Sequence, residues 1–201
     1  MDSSKNDFRE FVLAALAQYE SRLVHYTTRL FGGKEDRGRD VVQHAFMKLC
    51  QQNHEDVVDC VGPWLFRVCR NRVIDELRRR GASNSVDELL FQVDCNQVDP
   101  SLLAERADLM EYVRSLVVKL PTAQREVVEL WSHGLRHEEI GNIMGKKAGA
   151  VRGILHRAIQ TLKHDPQICA WLDEPQGGSG QLIKQAGTPP GDQITTAQKR
   201  V

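Results

Sequence analysis

No apolar run in this sequence approaches the roughly 20 residues that a bilayer-crossing helix requires. Met1 to Asp7 is polar where a signal peptide would be apolar, so the chain is expected to work in the cytoplasm without membrane insertion. An excess of charge of one sign is also missing, because 27 lysines and arginines balance 27 aspartates and glutamates and the total points to no polyanionic partner. The five cysteines, Cys50, Cys60, Cys69, Cys95 and Cys169, are odd in number and scattered, which suits reduced, structural thiols. His44, Cys50, His54, Cys60 and Cys69 form the one cluster of metal-capable residues, and their spacing fits no zinc pattern. With no glycine-rich phosphate loop and no nucleophile elbow, the sequence offers neither a cofactor site nor a catalytic one, and a binding protein is expected rather than an enzyme. No stretch alternates convincingly enough for a strand, which leaves an all-α fold. A length of 201 residues suffices for two small packed domains.

What is present is helical periodicity. Phe8, Phe11, Val12, Ala15, Leu16, Tyr19, Leu23, Tyr26 and Leu30 mark one long amphipathic helix that Gly32-Gly33 stops. Val41, Val42, Ala45, Phe46, Leu49 and Cys50 mark a second, and a polar stretch from Gln51 to Gly62 separates it from a third. That third helix runs about Trp64 to Arg80, with Pro63 where a first turn accepts proline and Leu65, Val68, Ile74 and Leu77 packing inward. From Gly81 to Pro100 the periodicity fades into Ser, Asn, Asp and Gly, the composition of a flexible linker. Helical spacing resumes at Leu102 and runs to Leu120, then Pro121 begins another helix, and two shorter helices follow Gly134 with Gly145 as their turn. Asp173 to Val201 is rich in Gly, Gln, Pro and Thr and is expected to be a disordered tail.

The balanced charge conceals a pattern. Trp64 to Arg80 carries six arginines against Asp75 and Glu76, and Gly145 to His164 carries five lysines and arginines with no carboxylate. Between them, Gly81 to Val118 holds seven acids against Arg106 and Arg114. Two basic segments flanking an acidic connector suit two surfaces that touch phosphate. Two short helices joined by a glycine turn, near residues 137 to 164, form a helix-turn-helix. Arg152, His156 and Arg157 lie opposite Val151, Leu155 and Ala158, where arginine can reach phosphates or guanine edges. Lys146, Lys147 and Ala148 stand where a capping Ser, Thr or Asp would normally be, and a phosphate would offset that missing cap. The Trp64 helix interleaves aromatics, arginines and Asn71, a combination that suits opened DNA but equally suits a core helix with a solvated basic face.

Three stretches, taken in order, resemble the extracytoplasmic-function sigma factors: Asp40 to Leu49, Trp64 to Arg80, and Leu120-Pro121-Thr122-Ala123-Gln124-Arg125-Glu126-Val127 through to Leu155-His156-Arg157-Ala158. The likeness implies a region 2 domain over 8–80, a linker over 81–101 and a region 4 domain over 102–165, followed by the tail 173–201. It implies that Asp40 and Gln43, with His44 where the family usually has Glu, dock on the clamp of the largest subunit of core RNA polymerase. It implies that Asn71 and the loop before Trp64 capture a flipped base of the minus-ten element, while Arg67, Arg70, Arg78 and Arg79 hold backbone. Lys147, Arg152, Gly153, His156 and Arg157 would then face the minus-thirty-five element, with Gly153 replacing a usual Ser. An anti-sigma factor is a common partner in the family. The rival expectation is a helix-turn-helix regulator that acts without polymerase, which would leave the Asp40 and Trp64 helices unexplained.

Overall fold

The Gly32-Gly33 pair ends the first helix as expected. The computed structural model describes residues 3–79, 90–91, 106–166 and 168–169, and within them the chain forms eight helices and no strand. These are α1 (Ser3–Leu30), α2 (Glu35–Leu49), α3 (His54–Val57), α4 (Val61–Arg79), α5 (Arg106–Val118), α6 (Thr122–Ser132), α7 (His137–Met144) and α8 (Ala148–Lys163). The chain divides into two compact units, the first taking in residues 1–99 with Asn142–Gly145 and the second the remainder. The expected tail and most of the expected linker lie outside the described residues, as do Arg80 and residues 102–105.

The first unit packs α1, α2 and α4 against one another. At the end of α1 the Gly33 N–H donates to the Thr28 carbonyl at 2.8 Å, and both glycines hold a positive φ that closes the helix. The chain then turns back into α2, six residues earlier than the apolar pattern suggested. Gly38 permits a close crossing there, because a Cβ on it would lie 2.9 Å from the Thr28 backbone nitrogen. The Thr27 hydroxyl sits in the same crossing, within 3.1 Å of the Gly38 carbonyl and 2.8 Å of the Leu23 carbonyl. Leu23, Tyr26 and Leu30 of α1, Val41, Ala45 and Leu49 of α2, and Leu65, Phe66, Cys69 and Val73 of α4 form the core. Tyr26 and Phe66 meet edge to face at its centre, with ring centroids 5.3 Å apart. Burial pushes the Cys69 thiol far up, so it stays protonated and inert, as a structural thiol should.

Two features of this unit depart from the sequence reading. The polar stretch 51–62 contains α3, a single turn whose Val57 is buried while His54, Glu55 and Asp56 are exposed. On α4, Val68 and Leu77 are only half-buried, and the deepest positions are Leu65, Phe66, Cys69 and Val73. Within the expected linker, Leu90 is buried and the Phe91 N–H donates to the Leu30 carbonyl at 3.2 Å, which ties these two residues to the first unit.

In the second unit α6 packs on α8, and α5 lies against both. Val117, Leu120 and Ala158 form a buried cluster that Val113, Val128 and Leu162 enclose. Pro121 precedes α6, and its carbonyl accepts from the N–H groups of Gln124 and Arg125 at 2.8 and 3.0 Å. The phenol of Tyr112 donates to Asp165 at 2.8 Å, so the turn after α8 is fastened to α5, and Ile168 beyond it is buried.

Candidate nucleic-acid interface

The helix-turn-helix is built by its glycines and one acid. Glu139 caps the start of α7: its Oε2 accepts the Arg136 backbone N–H at 2.7 Å, and its Oε1 accepts from the Arg136 guanidinium at 3.1 Å. The Glu138-Glu139 pair therefore contains a capping residue. Gly145 ends α7 at a φ of +67°, and the Lys146 N–H then reaches back to the Gly141 carbonyl at 2.8 Å. This fold-back leaves no space at Gly141, where a Cβ would come 2.5 Å from the Lys146 carbonyl oxygen.

Lys147 precedes α8 in an extended conformation and offers no side-chain cap, and no acid follows in the first turn. Lys146 and Lys147 are both exposed beside the positive end of the helix, an arrangement that costs stability unless an anion is present. Val151, Leu155 and Ala158 face the core. Arg152, His156 and Arg157 are exposed on the outward side, Gly153 is half-buried among them, and His156 lies 3.5 Å from Gln160. The expected division of α8 into an apolar and a basic face is present residue by residue.

On α4 the outward side lies opposite Phe66, Cys69 and Val73. Arg67, Asn71, Arg78 and Arg79 are exposed there, and Trp64, Arg67, Asn71 and Arg78 fall on one stripe at helical spacing. Trp64 is half-buried, so its ring is divided between core and surface, whereas Phe66 is wholly enclosed and unavailable for stacking. Arg70 is half-buried at the edge of the stripe.

On α2, Asp40 and Gln43 are exposed on one side. Met47, one turn further along and 56% exposed, extends the same side, although the sequence reading did not single it out. Its signal was available: it is the apolar residue of α2 that falls off the inward period. His44 is half-buried and turned toward α4, where Arg72 and Glu76 pair at 2.9 Å. Burial, then the positive charges of Arg72 and Lys48, hold its imidazole below the ordinary histidine value against the pull of Glu76. A neutral ring thus stands where a carboxylate would be expected in the family. Among the described residues no cluster of three His, Cys, Asp or Glu could hold a metal, and no helix is long and apolar enough to cross a membrane.

Comparison with known proteins assigns both units. Residues 16–83 match Sigma-70 region 2, and residues 116–164 match Sigma-70, region 4. The chain is 28% identical over 149 residues to the ECF RNA polymerase sigma factor SigE of Mycolicibacterium smegmatis, a stretch that takes in 73% of this chain and 58% of that protein. It is 29% identical over 126 residues to the ECF RNA polymerase sigma factor SigM of Bacillus subtilis, covering 62% of this chain and 76% of that one. In fold it is similar to the sigma factor RpoE of Bartonella quintana, solved with the anti-sigma factor NepR, with a TM-score of 0.53 at 21% identity over 78% of this chain and 94% of that chain. Two sigma-70 regions in order, on two all-helical units with relatives throughout this group, mean that the chain belongs to the sigma-70 family of RNA polymerase sigma factors, among its extracytoplasmic-function members.

Proposed function

We propose that this chain is taken up by core RNA polymerase as its promoter-recognising subunit and starts transcription from promoters with both a minus-ten and a minus-thirty-five element. The observation that carries the reading is the ordered match to regions 2 and 4, on two separately packed units that each turn basic residues outward. A helix-turn-helix regulator acting without polymerase would account for the second unit alone.

The outward side of α2, with Asp40, Gln43 and Met47, docks on the polymerase clamp, and His44 contributes a neutral edge to it. The stripe on α4 receives the opened minus-ten strand: Trp64 stacks, Asn71 hydrogen-bonds a displaced base, and Arg67, Arg70, Arg78 and Arg79 hold phosphates. Lys147, Arg152, Gly153, His156 and Arg157 meet the minus-thirty-five duplex in the major groove. The protein works in the cytoplasm, supplies recognition rather than catalysis, and is open to control by an anti-sigma factor of the kind seen with its structural neighbour.

Purified chain mixed with core polymerase should direct run-off transcription; failure to associate with core at low salt would overturn the proposal. Within a competent holoenzyme, Asn71→Ala should reduce permanganate reactivity of the melted segment by about tenfold, the loss of one good base contact. Unchanged reactivity would remove Asn71 from that role.

A further inference from the structure

We propose that Gly149 and Gly153 set how deeply α8 seats in the major groove and thereby determine which upstream sequence is preferred. The inference rests on the reading of α8 given above and deepens it: the basic residues make the binding site, and the glycines set its depth.

Glycine is the poorest helix former after proline, so a glycine inside a helix calls for a reason, commonly a left-handed φ or a close neighbour. Other helical glycines in this chain have such a reason. A Cβ on Gly38 would be 2.9 Å from backbone, one on Gly62 would be 2.8 Å from the Tyr19 ring, and one on Gly141 would be 2.5 Å from a carbonyl oxygen. Gly149 and Gly153 are different. Neither has a positive φ. A Cβ on Gly149 would meet nothing within 4 Å, and one on Gly153 would meet only the end of Arg157 at 3.7 Å, an ordinary contact with a flexible group. Nothing among the described residues requires glycine at either position.

Their placement supplies the reason. They are one turn apart, at the centre of the side of α8 opposite Val151, Leu155 and Ala158. Arg152 and His156 flank this centre on one side and Arg157 on the other, all exposed. The outward side therefore begins as bare backbone between long basic arms. A helix with its side chains is about 10–12 Å across and the major groove about 12 Å wide, so the central side chains fix the distance of the helix from the groove floor. With none at two successive turns, the helix axis sits closer to the base edges, and Arg152 and Arg157 straddle the approach. A methyl or hydroxymethyl group at either glycine would hold the helix off and shift both arginines from their partners.

The test uses the full chain bound to core polymerase and an upstream duplex selected with it from a randomised pool. Gly149→Ala, Gly153→Ala and Gly153→Ser should each bind that duplex at least about fivefold more weakly. The thermal midpoints of the free alanine variants should stay level or rise by about 1–4 °C. A fresh selection with Gly153→Ala should return a different preferred sequence. A lowered midpoint in the alanine variants would show that the fold itself needs glycine and would overturn the inference. So would undiminished affinity, or an unchanged selected sequence, while Arg152→Ala loses the duplex. If Arg152→Ala and Arg157→Ala also bind undiminished, the reading of α8 as the duplex reader fails, and the inference with it.

Discussion

An Arg152→Ala chain is expected to hold core polymerase as the unsubstituted chain does while losing about ten- to a hundredfold in affinity for its upstream duplex, the 1–3 kcal/mol typical of one good base contact. Three observations support so local an effect. Arg152 is exposed, so its removal opens no cavity. It stands one residue after buried Val151, about 100° round the helix from it, at the outer edge of the buried arc. No carboxylate occurs from Gly145 to His164 to occupy its guanidinium from within the turn or α8. Fluorescence anisotropy of a labelled upstream duplex with holoenzyme measures the loss, and repeating it across sequences identifies its kind. A base contact loses specificity at one position, whereas a phosphate contact weakens all sequences alike and lowers the salt slope by about one. Loss of polymerase binding instead would sink the assignment of α8 to DNA.

Phe66→Ala should have the largest effect on stability in the first unit, about 3–5 kcal/mol. Its ring is fully enclosed and meets Tyr26 edge to face, so truncation leaves a cavity between α1 and α4 that helices already in close contact cannot readily collapse to fill. Against a total stability of about 5–15 kcal/mol, that loss leaves the unit marginal or unfolded near body temperature. Polymerase binding and promoter opening should then fail together, because the α2 face and the α4 stripe rest on the same core. Thermal melting followed by circular dichroism is the direct measurement, and a midpoint within a degree of the unsubstituted chain would contradict the packing described here.

Phe66 also marks where the sequence was ambiguous. A helix that alternates aromatics with arginines can turn its rings toward bases or toward a core, and only three-dimensional packing separates Trp64, half-buried on the outward stripe, from Phe66. The long apolar period of α1, its glycine stop, and both helices of the helix-turn-helix were legible because each spans enough turns to reveal its phase or ends on a glycine at positive φ. The first turn of α2 was not, since Glu35, Asp36, Arg37 and Arg39 carry no apolar marker and Gly38 reads as a breaker until its crossing with Thr28 is seen. One helical turn with one buried valine, as in α3, is too short for any period. Of the candidate site, the residue types and spacing on α8 were readable from the outset. The turning of His44 toward Arg72 and the exposure of Met47 depend on how α2 packs, which spacing alone does not specify.

Lys146 and Lys147, placed without a cap at the positive end of α8, give salt two opposite roles in one protein. In the free chain, added electrolyte screens the repulsion between those ammonium groups and the helix terminus, and so firms the first turn. Under the proposed reading the same lysines would meet phosphate in the promoter complex, where added electrolyte would compete for that contact and loosen it. On that reading α8 is least settled under the conditions in which it would bind best, and DNA would complete its first turn.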